Sequence, residues 1–223
     1  MAPFRTLSGL PVKGRHVLLR TDLDVRIEAG RVADASQLAR SMPTLIELAG
    51  KGARIVVMSS FGPPQGRHDE ACSLQALVEP LRAVLRGRGV VFAGDGLDAV
   101  ARQIVKGLGN GDVAVLENLQ RHPAERENDV GFARSLAALG DLYVNDAVSC
   151  ARYAYASTEA ITRLLPAVAG RLMQREFSGE RVSEGKSLAS VAALIGASQP
   201  SRRAANRTTA GTYPRQVERD ERY

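Results

Sequence analysis

The sequence predicts an α/β fold: a doubly wound parallel sheet with helices on both faces, three layers deep, in one domain followed by a disordered C-terminal tail. Three observations predict it. Short runs rich in Val, Ile and Leu alternate with longer stretches of helical spacing, and the alternation repeats along the chain. The helical stretches end at glycine, as helices that hand over to a strand commonly do. Polar residues stand where the strand-like runs end, which is where such sheets bind ligands.

The strand-like runs are "HVLLR" (16–20), "RIVVMSS" (54–60), "GVVFA" (89–93), "DVAVLEN" (112–118), "DLYVND" (141–146) and "VAALIG" (191–196). Each is short and branched-aliphatic, as a strand covered on both faces should be. The first helix is expected over 36–52, where Leu38, Met42, Leu45, Ile46 and Leu48 gather largely on one side and Gly50 and Gly52 suit its end. A second, over 73–87, starts at a capping Ser73 and stops at Gly87. Residues 97–109 and 129–140 repeat the plan. Beyond residue 198 large apolar residues are few, so the tail cannot offset its ordering entropy.

Composition narrows the function classes. The chain has 223 residues, 44% hydrophobic and 24% charged, enough for a real core. Aromatics are 4% and Trp is absent, so that core is aliphatic. The formal charge is +6, but half of it lies in the tail after residue 198. Aromatic interleaving there is limited to Tyr213 and Tyr223, and short basic tails are usually solvated, which argues against nucleic acid as a partner. Cys72 and Cys150 form no CxxC, and His16, His68 and His122 do not cluster, so neither a disulfide framework nor a metal site is expected. Cys150 lies beside Arg152, but reads as a packing residue. No apolar run approaches a membrane span and the first residues lack a secretory apolar core. A reducing cytoplasm is the expected setting.

The strand ends carry the chemistry. "RTDLDVR" (20–26) places Asp22 and Asp24 on the same side of an extended chain. "SSFGPPQGRH" (59–68) offers a Ser pair and a Gly-Pro-Pro turn. "LENLQRHPAE" (116–125) brings Glu117, Asn118, Gln120, Arg121 and His122, and "DLYVNDAVSCARYAYAS" (141–157) ends the fifth strand in a loop with Arg152, Tyr153 and Tyr155. Together they predict a polar rim.

These segments resemble, in order and spacing, the N-terminal half of phosphoglycerate kinases over about residues 8–201. "GRHVLLRTDLDV" resembles the strand entering that family's Asp-Phe-Asn-Val-Pro loop, and "VVMSSFGPPQG" its Met-Ser-His-Leu-Gly-Arg-Pro segment. "GDVAVLENLQRHPAE" resembles its Leu-Glu-Asn-Leu-Arg-Phe-His segment, the 141–157 stretch its Val-Asn-Asp-Ala-Phe-Gly-Thr-Ala-His-Arg-Ala-His segment, and "AGRLMQRE" its Gly-Phe-Leu-Met-Glu-Lys-Glu.

The resemblance implies phosphoryl transfer between 1,3-bisphosphoglycerate and ADP, with the triose phosphate held by Arg and His side chains of this half and Mg-ATP or Mg-ADP by the other. It implies a phosphoglycerate-kinase-like domain over 1–185, the start of the nucleotide domain over 186–201, and a basic tail over 202–223. No nucleotide cofactor is expected for this chain, because the family's nucleotide-contacting Lys falls on Gln199 and little sequence follows.

Carried over by position, the family's substrate-binding residues fall on Asp22, Leu23, Asp24, Gln37, Ser60, Phe61, Gly62, Pro63, Gln120 and Tyr153. The family's catalytic Arg falls on Gln37, so no catalytic residue is assigned. The Arg positions have become Gln37, Pro63, Gln120 and Tyr153, a His has become Ser60, and Asn has become Asp24. Substitute cations would have to be Arg26, Arg121 or Arg152, each beside a vacated position. The expectation is therefore a degenerate, truncated kinase-type domain, weakly active or inactive. Its 3-phosphoglycerate-type ligand is bound weakly or lost, association with a full-length relative is one possible partnership, and no membrane is expected. The alternatives are a functional kinase of glycolysis or carbon fixation with rearranged Arg ligands, and a non-enzymatic binding module.

Overall fold

The structure, a computed structural model, describes residues 5–23, 25, 27–28, 31–32, 36–60 and 73–178. Its centre is a six-stranded sheet in the order β5-β6-β4-β1-β7-β8, every pair parallel. The strands are β1 (His16–Thr21), β4 (Arg54–Met58), β5 (Val90–Phe92), β6 (Val113–Val115), β7 (Leu142–Asp146) and β8 (Ala167–Ala169). Two short strands, β2 (Ile27–Glu28) and β3 (Arg31–Val32), form an antiparallel pair outside it.

The side-chain alternation of the strands builds two cores. Val17, Leu19, Ile55, Val57, Val113, Val115, Leu142 and Val144 point to one face. There they meet Leu38, Met42, Leu45 and Leu48 of α1 (Ser36–Gly50), and Leu74, Leu77 and Leu81 around α2 (Val78–Val84). Leu18, Val56, Met58, Ala114 and Tyr143 point to the other face. Their partners are Ala101 and Val105 of α3 (Ala99–Lys106), the Phe132, Ala133 and Leu136 stripe of α5 (Val130–Ala137), and Ile161. Burying each such aliphatic side chain contributes about 1.5–3 kcal/mol. The short α4 (Pro123–Arg126) precedes α5, and α6 (Arg171–Ser178) lies against α1. The expected three-layer α/β/α architecture is what the chain adopts.

Element by element, the expected strands at 16–20, 54–60, 89–93, 112–118 and 141–146 are present, most of them shorter at the carboxyl end, where the chain turns polar. The second helix opens as a 3₁₀ turn (Leu74–Leu77), with Ser73 Oγ accepting from the Gln75 amide. Gly52 and Gly87 lie at φ of +76° and +75°, the left-handed conformation that ends a helix. Neither β8 nor the β2–β3 pair was expected. Ala167–Ala169 is too short and small to register as an apolar run, and becomes a strand by pairing with Tyr143–Asn145. The expected strand at 191–196, the 186–201 segment and the 202–223 tail lie outside the described residues. Among the described residues no helix is long and apolar enough to cross a membrane.

The topology sets the site. From β1 the chain crosses one face through α1 to β4, whereas from β7 it crosses the other face, past Ile161, to β8. The direction of winding reverses between β1 and β7, so their carboxyl ends flank the switch point.

Candidate functional site

The rim at the switch point is built from the loops after β1, β4, β6 and β7. Its foundation is Arg20, a charged residue that is fully buried at the end of an otherwise aliphatic strand. Its guanidinium donates to Ser157 Oγ (3.0 Å), the Thr21 carbonyl (3.0 Å), Ser60 Oγ (2.7 Å) and Cys150 Sγ (3.2 Å). One side chain thereby ties together the loops following β1, β4 and β7.

Behind it lies Glu125, 1% exposed. Ser157 donates to it from both its amide (3.0 Å) and its hydroxyl (2.5 Å). Ser157 Oγ thus accepts from Arg20 and donates to Glu125, bridging the two charges. Burial pushes the Glu125 carboxyl above its usual range, and the Arg20 charge and the Ser157 hydrogen bonds offset this only in part. Tyr143 closes the cluster by donating to the Ser157 carbonyl (2.7 Å), and burial raises its phenol too.

The first loop is pinned above this base. Ser59 Oγ donates to the Thr21 carbonyl (2.8 Å) and accepts from the Leu23 amide (3.1 Å), and Ser41 Oγ donates to the Asp22 carbonyl (2.8 Å). The Asp22 carboxylate reaches across the switch point, accepting from the Ser149 amide (2.9 Å) and hydroxyl (2.6 Å). On the far side of β7, Asp146 accepts from the Met173 amide at the start of α6 (3.0 Å). Gly170 is required there, because any Cβ would collide with the Asp146 carboxylate. Burial raises the Asp146 carboxyl, opposed by its hydrogen bonds from Thr44 and the α6 amides.

Glu117, after β6, accepts from Ser73 Oγ (2.7 Å) and from the Leu74 and Asn118 amides (3.0 and 2.7 Å), so it caps the 3₁₀ turn before α2. Arg121 Nη1 stands 3.2 Å from the same carboxylate. Gln120, next to it, accepts from Arg126 (3.4 Å). Beyond β7, Arg152 lies exposed over the Tyr153 ring at 5.2 Å, and Tyr153 stacks on Tyr155 at 5.5 Å. Tyr153 itself is 47% exposed.

Among the residues expected at the site, the structure therefore places Asp22, Leu23, Ser60, Gln120 and Tyr153 on loops that follow β1, β4, β6 and β7. Gln37 lies in the first turn of α1, with only its backbone described. Asp24, Arg26, Phe61, Gly62, Pro63 and Gln199 fall outside the described residues, as do His68 and Cys72. His16 sits at the opposite, amino end of β1, whereas His122 is at the rim against Phe132 (5.0 Å). Arg20, Glu125, Ser149 and Ser157 were not singled out from the sequence. The one legible signal was a charged residue inside an aliphatic strand run. Among the described residues no three His, Cys, Asp or Glu side chains group as metal ligands would.

This geometry defines a class: a doubly wound α/β domain with polar loops gathered at its switch point, where such sheets commonly bind ligands. Comparison with known proteins narrows it. The phosphoglycerate kinase family model matches residues 7–202. The phosphoglycerate kinase of Granulibacter bethesdensis is 46% identical over 198 residues, 89% of this chain and 50% of that protein. That of Rhodospirillum centenum is 50% identical over 186 residues, 83% of this chain and 46% of that protein. Among solved structures, phosphoglycerate kinase from Coxiella burnetii superposes with a TM-score of 0.69 at 27% identity, covering 79% of this chain and 44% of that one. The chain belongs to the phosphoglycerate kinase family, and it spans about half the length of the relatives it matches. It aligns with the N-terminal half that the sequence motifs indicate.

Proposed function

We propose that this chain is a triose-phosphate-type domain of the phosphoglycerate kinase family whose rim has lost its cationic grip. In this reading it binds 3-phosphoglycerate weakly or not at all, and as an isolated chain it does not carry out phosphoryl transfer. The observation that carries the reading is the set Gln37, Pro63, Gln120 and Tyr153, which stands where the family resemblance places arginines. A triose phosphate and a transferring phosphoryl group are polyanionic, so their retention depends on charge-assisted hydrogen bonds.

The candidate replacement cations support the same reading where they are described. Arg121 faces the Glu117 carboxylate, and Arg152 is exposed and stacked on Tyr153. Asp22, at the centre of the rim, adds negative charge and is occupied by Ser149. We assign no nucleotide contact to Gln199, which stands where the family resemblance places a lysine that contacts Mg-ATP or Mg-ADP, and we assign the chain to the cytoplasm. The test is a coupled assay with 3-phosphoglycerate and Mg-ATP on the purified chain. No turnover above the buffer blank is expected, and turnover near that of a full-length relative would overturn the reading.

A further inference from the structure

Asp22 directly follows β1, and Ser149 lies in the loop after β7, so the pair joins the two strand ends that flank the switch point. Ser149 serves both carboxylate oxygens: its hydroxyl donates to Oδ1 (2.6 Å) and its amide to Oδ2 (2.9 Å). Cys150 Sγ stands 3.8 Å from the same Oδ1 and 3.4 Å from the Ser149 hydroxyl. The carboxylate is thereby enclosed, and Asp22 is only 8% exposed. Among the described residues it enters no ion pair, and the donors that meet its charge are neutral.

The Ser149 hydroxyl is not needed to place the loop after β1. Two other serines already fix the backbone there. Ser41 donates to the Asp22 carbonyl, and Ser59 donates to the Thr21 carbonyl while accepting from the Leu23 amide. The tie to the β7 loop is also present without the hydroxyl, through the Ser149 amide. Nor does the backbone demand a particular residue at 149. Outside glycine only Asn128 has a positive φ among the described residues, so Ser149 adopts a conformation open to most side chains. In the family stretch that residues 141–157 resemble, this position is Gly and the next is Thr. Relative to that pattern the hydroxyl is an addition, and it is donated to Asp22.

A carboxylate only accepts hydrogen bonds. Toward a 3-phosphoglycerate-type anion it can hold neither the phosphate nor the carboxylate, which are acceptors of like charge. The group left for it is the ligand hydroxyl. Ser149 already supplies a hydroxyl at that carboxylate, without the entropic cost of capturing a free molecule. A ligand hydroxyl arriving there would exchange one O–H···O bond for another and gain little.

We propose that Ser149 is a built-in competitor at the rim. Its hydroxyl occupies the Asp22 carboxylate in place of a ligand hydroxyl, and so weakens binding of a hydroxylated phosphate or carboxylate anion independently of the missing arginines. The inference rests on the reading of the rim as a triose-phosphate-type site, and it adds a determinant that carries no charge.

The test is isothermal calorimetry of the full chain carrying Gln37→Arg/Pro63→Arg/Gln120→Arg/Tyr153→Arg, with and without Ser149→Ala, which removes the hydroxyl and keeps the amide. The probes are 3-phosphoglycerate and 3-phosphonooxypropanoate, the analogue that lacks the hydroxyl. Ser149→Ala should tighten 3-phosphoglycerate by at least about 10-fold, the contribution of one charge-assisted hydrogen bond. It should leave the analogue within about 2-fold, the scatter of an uncoupled change. Ser149→Thr, which keeps a hydroxyl, should tighten neither probe, and Asp22→Ala should abolish the gain from Ser149→Ala. If that arginine background does not fold, Gln120→Arg/Tyr153→Arg, confined to two rim loops, serves for the same comparison. Unchanged affinity on removing the hydroxyl, in a background that binds, overturns the inference and leaves the reading of the rim standing. Equal tightening of both probes also overturns it, because a tie that merely shapes the loop would not distinguish them. If no background binds either probe, with or without the hydroxyl, the reading of the rim falls and the inference with it.

Discussion

Arg121 Nη1 stands 3.2 Å from the Glu117 carboxylate, on the loop where the family resemblance places a substrate arginine one position earlier. A one-residue displacement is decisive at such a site. The guanidinium belongs to the carboxylate that caps the turn before α2, while Gln120 occupies the vacated position and takes its hydrogen bond from Arg126. Restoring the missing cations should therefore restore the ligand. Each charge-assisted hydrogen bond contributes about 1.5–3 kcal/mol, and four of them nominally exceed four decades in affinity. Allowing for non-additivity, the variant Gln37→Arg/Pro63→Arg/Gln120→Arg/Tyr153→Arg is expected to bind 3-phosphoglycerate at least about 100-fold more tightly than the parent. Isothermal calorimetry measures this. Equal heats for parent and variant would show that the arginine positions do not control binding.

The buried Arg20–Ser157–Glu125 bridge predicts where stability resides. Truncating Arg20 to Met strands the Glu125 carboxyl and deprives Ser60 and Cys150 of their donor, which should cost about 3–5 kcal/mol. Ser157→Ala, which removes only the bridging hydroxyl, should cost about 1–3 kcal/mol. In urea unfolding, Arg20→Met with Glu125→Gln should be less destabilising than the sum of the two single changes, because the residues form one network. Strict additivity would mean that the bridge is not a coupled unit.

How much of this was legible beforehand depends on what carried the signal. The strands at β1, β4, β5, β6 and β7 were legible because aliphatic runs announce them. β8 was not, since Ala167–Ala169 becomes a strand only through its neighbour β7. The rim loops were legible because polar residues interrupt those runs. The side chains that hold the loops were not. Glu125 and Ser157 are 32 residues apart, and Arg20 and Ser157 are 137 apart. Nothing local marks a Ser or Glu as a buried partner of a distant Arg.

The joint between α1 and α6 carries a pH dependence. Arg171 donates to both oxygens of Glu47 (2.6 and 2.8 Å) and Lys51 adds a third bond (2.7 Å). The Arg171 hydrogen bonds hold the Glu47 carboxyl down to about 2, against the opposing effect of burial and with help from Lys51. In the unfolded chain the group titrates at its ordinary value of 4.5. Its contribution to stability is thus full above that value and is lost as pH falls toward 2. Glu47→Gln should remove this component, so that the variant loses less stability than the parent between pH 4.5 and 2. Denaturant unfolding across that window checks it, and parallel curves for the two proteins would contradict the assignment.

The central claim is that the rim keeps the scaffold of a triose-phosphate site without its grip. Titration of 3-phosphoglycerate into the isotope-labelled chain, followed through backbone amide resonances, tests it most directly. A dispersed spectrum of a folded domain is predicted, with no saturable shift at the amides of Asp22, Ser60, Gln120 or Tyr153 at millimolar ligand. Saturable shifts focused on those four amides would show that the site still holds its ligand, and would contradict the claim.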